Sequence, residues 1–208
     1  MKTVCIINGG VAYQKMFLKK GWNVTEDFDE ADLIQFCGGS DISPEIYGAS
    51  LHKTMHIHQA RDTVEIELFH IAYAKGIPMA GICRGSQFLH AMSGEQLWQH
   101  VDNHCGNHVI KAIGGLMDIE VSSTHHQMMA QPENKDSIVL AWAENISTFK
   151  ERQMDGYLVR KENEYRDIEA VYHPHTNCIC FQPHPEFDGI NDCTNLYFHF
   201  INNYLFGE

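Results

Sequence analysis

Ile77-Pro78-Met79-Ala80-Gly81-Ile82-Cys83-Arg84-Gly85-Ser86-Gln87 is the stretch that decides how this chain is read. An apolar run ends at a cysteine with a glycine two residues to either side. A helix-like stretch, Gln87 to Met92, follows. Gly-x-Cys-x-Gly where a strand passes into a helix is the nucleophile-elbow pattern, with cysteine in the place of serine. Such a turn is sharp, so neighbouring backbone passes close and side chains at Gly81 and Gly85 would collide with it. The helix that starts near Arg84 points its free N–H groups and positive end at the sulfur, which suits a reactive thiolate. The N–H of Arg84 is a candidate oxyanion donor.

Outward from the elbow, apolar runs alternate with helical stretches. Val4–Ile7 and Leu33–Cys37 read as buried strands, each followed by Gly-Gly. Tyr13 to Lys20 and Arg61 to Lys75 have helical spacing and stop at Gly21 and Gly76. In the second, Val64, Leu68, Ile71 and Ala72 form the expected buried face. This order predicts an α/β fold with a mostly parallel central sheet and helices on both faces. The middle departs from it. Leu97–Val101, His108–Ile113, Met117–Val121 and Ile138–Ala141 are short extended pieces, with Gly114-Gly115 as a hairpin turn, and predict a small antiparallel region. Glu169–Tyr172 and Cys178–Gln182 are two further strands, and Asp192–Leu205 is a C-terminal helix with Leu196, Phe200 and Ile201 inward. No linker or repeat interrupts residues 1–208, so one domain is expected.

Composition narrows the function. Fifteen basic against 27 acidic residues give a net charge of −12, which argues against a nucleic-acid surface. No apolar run is long enough for a membrane span and the N-terminus lacks a signal-peptide pattern, so a cytoplasmic location is expected. Seven cysteines without a repeating spacing do not form a disulfide framework. Cys178 and Cys180, alternate residues of one strand, read as buried thiols facing one way. His100, His104 and His108 would share a face on a helix. Asp102, Asn103, Gly106 and Asn107 lie between them and favour turns, so hydrogen-bonded or solvated histidines are expected there and no metal.

A thiol nucleophile needs a base. Phe181-Gln182-Pro183-His184-Pro185-Glu186 closes an apolar strand at its carboxyl end, where sites gather on parallel sheets. Two prolines stiffen His184, and Glu186 is placed to hold the far ring nitrogen and fix the tautomer.

With these residues in view, the chain resembles the class I glutamine amidotransferase family, whose fold is flavodoxin-like and whose catalysis rests on a Cys-His-Glu triad. It is most similar to the branch of gamma-glutamyl hydrolases that includes the gamma-glutamyl-gamma-aminobutyrate hydrolases. Four motifs carry the resemblance: Gly38-Gly39-Ser40-Asp41-Ile42-Ser43-Pro44-Glu45-Ile46-Tyr47-Gly48, the elbow, Ser123-Thr124-His125-His126-Gln127, and Gln182-Pro183-His184-Pro185-Glu186. The resemblance implies Cys83, His184 and Glu186 as catalytic residues and the N–H groups of Gly39 and Arg84 as the oxyanion hole. It implies Gln87, His126 and Gln127 as the substrate pocket. The implied reaction is hydrolysis of a small gamma-glutamyl amide through a glutamyl thioester, with no cofactor. The alternatives are a glutaminase subunit feeding ammonia to a separate synthetase, and a non-catalytic binding module on the same fold. Cys37 and His90 stand where the branch commonly has a proline and a smaller polar residue.

Overall fold

The computed structural model describes residues 1–115, 118–162, 165–187 and 191–208. In chain order it contains β1 (Thr3–Ile7), α1 (Val11–Lys19), β2 (Asn23–Thr25), β3 (Leu33–Phe36), α2 (Gln59–Lys75), β4 (Met79–Ile82) and α3 (Arg84–Met92). Five short or medium strands follow: β5 (Leu97–Trp98), β6 (His100–Val101), β7 (His108–Ala112), β8 (Ile119–Val121) and β9 (Met128–Met129). The rest of the chain is β10 (Ile138–Glu144), β11 (Phe149–Met154), β12 (Tyr157–Glu162), β13 (Arg166–His173), β14 (Cys178–Phe181) and α4 (Asp192–Phe200).

The central sheet runs β2-β1-β3-β4-β14-β13-β10-β7-β8. From β2 to β14 every neighbour is parallel. From β14 onward every neighbour is antiparallel, which extends the expected antiparallel region across the far side of the same sheet. The expected strand 117–121 is β8, with its first residue outside the described residues. Strand alternation splits the core into two layers. Val4, Leu33, Ile179 and Phe181 face α1 and α4, while Cys5, Ile34, Cys178 and Cys180 face α2 and α3. Helices therefore cover both faces, and Cys178 and Cys180 are buried on one of them, as expected.

Two readings change. The buried face of α2 is Asp62, Glu65, Phe69 and Ala72, whereas Val64 and Ile71 are 51% and 43% exposed. The helix is rotated because two carboxylates are needed inside, opposite a buried arginine described below. The stretch 97–101 is also not one strand. β5 pairs with β9, while β6 joins β11 and β12 in a separate three-stranded sheet. The β11–β12 hairpin turns at Asp155-Gly156, with φ of 47° and 81°. Two successive positive φ angles make a turn whose twist matches the strands it joins.

Candidate active site

Cys83 connects β4 to α3 with φ 51° and ψ −112°, a strained conformation for a non-glycine residue. The flanking glycines make it sterically feasible. A Cβ on Gly81 would lie 2.3 Å from the Gly85 carbonyl oxygen, and one on Gly85 would lie 2.2 Å from that of Phe36. Strand β3 thus presses directly on the start of α3. Arg84 is the first residue of that helix, so its N–H has no intrahelical acceptor and remains free for a ligand.

The Arg84 side chain turns inward, where it pairs with both Asp62 and Glu65 of α2. A second arginine completes the cluster. Arg61 Nε donates to Glu65 Oε1 at 2.7 Å. Its two terminal nitrogens donate to the carbonyls of Gly38 (3.0 Å) and Cys37 (2.8 Å). Asp62 also accepts from the N–H and hydroxyl of Ser43. Two cations and two anions therefore fasten the Gly38-Gly39 loop to the elbow. Arg61, Asp62 and Glu65 were not singled out in the sequence, although acids three apart beside an arginine on a helix were a signal of a polar buried face.

His184 follows β14. Its Nδ1 donates to Glu186 Oε1 at 2.7 Å, and its Nε2 stands 3.0 Å from Thr124 Oγ1. Burial acts to lower the imidazole pKa. Hydrogen bonds to Cys83 and Glu186 and the negative charge of both outweigh it, raising the value from 6.5 to about 10. The ring is therefore held cationic between the Cys83 sulfur and the Glu186 carboxylate. Phe187 stacks flat on it, with ring centroids 4.4 Å apart. The histidine backbone is tied to the same segment that carries Thr124: its N–H donates to Ser122 O, and Ser122 Oγ donates to His184 O.

A cavity of about 210 Å³ opens over the sulfur and is lined by Cys83, Gly39, Asp41, Gln87, His126 and Gln127 among others. Of the sequence-predicted residues, Cys83, Gly39, Gln87, His126 and Gln127 line it, whereas His184 and Glu186 stand behind Cys83 outside the lining. Gln87 Nε2 donates to Gln127 O and Gln182 Oε1. The buried Gln127 amide has neither its oxygen nor its nitrogen paired. His126 Nε2 lies 3.2 Å from Asp41 Oδ2; that carboxylate raises its pKa, against a smaller effect of burial. Asp41 also accepts from the His56 N–H. Cys37 and His90 are buried elsewhere: Cys37 lies against Gly9, and His90 Nδ1 lies 3.0 Å from His173 Nε2.

Residues 8–186 match Peptidase C26, and the chain belongs to that family. The glutamine amidotransferase-like protein YvdE of Lactococcus lactis is 27% identical over 170 residues, 73% of this chain and 69% of that one. A Mycobacterium tuberculosis protein with the provisional name glutamine amidotransferase is 35% identical over 89 residues, 42% of this chain. That match spans 29% of the mycobacterial protein, and the match to protein NtpR of Enterococcus hirae spans 32% of NtpR. Among solved structures, a glutamine amidotransferase from Thermotoga maritima aligns with a TM-score of 0.59 at 15% identity, covering 98% of this chain and 84% of that one. A chain of PurLQS from the same organism aligns at 0.63 and 18%, covering 99% and 100%. These two likenesses establish the fold. No helix among the described residues is long and apolar enough to cross a membrane.

Proposed function

We propose that the protein hydrolyses the amide bond of a small gamma-glutamyl compound, glutamine or a gamma-glutamyl amine, through a glutamyl thioester on Cys83. The observation that carries this reading is a strained Cys83 that opens on the same cavity as the unpaired Gln127 amide and is hydrogen-bonded from behind by His184, itself paired with Glu186. Cys83 attacks the side-chain carbonyl, and the N–H groups of Gly39 and Arg84 receive the oxyanion. His184 gives its proton to the departing amine or ammonia. It then takes a proton from the water that releases glutamate. Glu186 keeps the ring in the correct tautomer throughout. Gln87 and Gln127 hold the alpha-amino and carboxylate groups of the glutamyl part. The Gly-Gly-Ser-Asp-Ile-Ser-Pro stretch supports the gamma-glutamyl hydrolase branch over ammonia delivery to a synthetase.

The test is glutamate release by the purified chain from glutamine and a panel of gamma-glutamyl amines. Turnover of one of them, lost in Cys83→Ala, is expected. Failure of the folded chain to release glutamate from any of them would overturn the self-sufficient hydrolase.

A further inference from the structure

Beneath the pocket wall lies a second group of ionisable side chains that the proposed reaction does not use. His104 comes from the turn after β6 and His108 from the start of β7. Asp167 and Glu169 are two residues apart on β13, so their side chains share a face of the sheet. All four are buried, and Asp167 and Glu169 have no solvent exposure.

Asp167 is surrounded by donors. Its Oδ1 lies 2.7 Å from Lys150 Nζ, its Oδ2 accepts from the Ser147 N–H at 2.8 Å, and Oδ2 lies 3.0 Å from His104 Nε2. The carboxylate therefore requires His104 to carry its proton on Nε2. That leaves a lone pair on His104 Nδ1, and it faces another acceptor, Glu169 Oε1, at 3.5 Å. His104 Nδ1 and Glu169 Oε2 have no hydrogen-bond partner. Two acceptors facing each other in a dry interior repel, and unpaired buried polar atoms at such a place point to an ion between them.

The geometry fits one. Without an ion, Glu169 Oε1 accepts a hydrogen bond from His108 Nε2 at 3.2 Å, through a proton that an ion would replace, and one ligand atom from each of the three residues falls within 4.8 Å of the others. A tetrahedral ion with bonds of about 2.0–2.1 Å sets its ligands about 3.3–3.4 Å apart. The Asp167–His104 contact is the carboxylate–histidine arrangement that orients imidazole ligands on metals. On the pocket side, the His125 ring stacks on His104 with centroids 4.8 Å apart, which couples the cluster to the wall.

We propose that His104 Nδ1, His108 Nε2 and the Glu169 carboxylate bind one divalent transition ion of the zinc type, with Asp167 orienting His104. Two imidazoles and a carboxylate suit zinc better than calcium or magnesium, which prefer all-oxygen sites. The ion braces β7 against β13 and, through His125, sets the wall that carries His126 and Gln127.

The test is cobalt(II) titration of chelator-dialysed protein, read by visible absorption, in the Cys83→Ala background so that the reactive thiol does not compete. The expected result is one equivalent bound, with the visible bands of a tetrahedral site, no intense thiolate-to-cobalt band, displacement by zinc, and a higher Tm with zinc. Glu169→Gln and His108→Gln abolish uptake, and Asp167→Asn weakens it about 10- to 100-fold. Folded protein that takes up no cobalt, or takes it up with thiolate bands, overturns the proposal. In that case His104 carries a second proton and bridges the two carboxylates. Because the cluster is intact in the titrated protein, this result stands even if the cluster variants fail to fold.

Discussion

Two buried ionic clusters, one beside Cys83 and one behind the pocket wall, are closed in different ways. Arg61, Arg84, Asp62 and Glu65 balance in charge, and Arg61 also reaches the backbone carbonyls of Cys37 and Gly38. His104, His108, Asp167 and Glu169 keep acceptors turned on one another. Guanidinium groups carry enough donors to satisfy two carboxylates and a loop at once. Imidazoles do not, so the second cluster needs a proton or a metal from outside. The first cluster sits where positions must be fixed. The second sits behind a pocket wall, where an added ion changes how firmly that wall is held.

The largest expected effect separates chemistry from both clusters. Cys83→Ala should lower turnover about 10⁴-fold or more while circular dichroism stays that of the wild type. Next comes the closed cluster. Arg84→Met leaves Asp62 and Glu65 buried with one cation between them, and should cost about 3–5 kcal/mol in urea denaturation. An unchanged midpoint would mean that the cluster does not hold the elbow. Gly85→Ala drives a methyl group into the Phe36 carbonyl. It should cost about 1–3 kcal/mol and lower kcat together with stability, because β3 and the elbow must part.

The His184 pair gives a pH test. A raised pKa stabilises the fold fully below the ordinary value of 6.5, and that contribution disappears as pH rises through about 10. Cys83→Ala removes one of the partners that hold the ring protonated. Its alkaline loss of stability should therefore begin at lower pH than in the wild type, read as urea midpoints across that range. The smallest effect is expected far from both clusters. Gly156→Ala, at φ 81° in the β11–β12 turn, should cost about 1 kcal/mol and leave turnover unchanged.

The turn at Cys83 and the His184–Glu186 pair are readable in the sequence because their logic is local. Gly81 and Gly85 are needed by backbone within four residues or on the adjacent strand, and His184 and Glu186 are two residues apart. Other features depend on distant partners. Apolar spacing selects Val64 and Ile71 for the inward face of α2, but Asp62 and Glu65 take it because they answer to Arg84, about twenty residues on. His104 and His108 were correctly kept off a helix. Their meeting with residues 167 and 169 depends on the order of β10, β13 and β7 in the sheet, which local patterning does not fix. The β11–β12 hairpin was missed although Asp155-Gly156 marks its turn. Its strands, Phe-Lys-Glu-Arg-Gln-Met and Tyr-Leu-Val-Arg-Lys-Glu, are too charged to read as buried.

A glutamyl group carried on Cys83 would be visible by mass spectrometry of the intact protein and its peptic digest from an acid-quenched steady state. One added glutamyl group on the peptide containing Cys83, and none in Cys83→Ala, is expected. Glutamate release that proceeds without that adduct, and survives in Cys83→Ala, would contradict the Cys83 thioester.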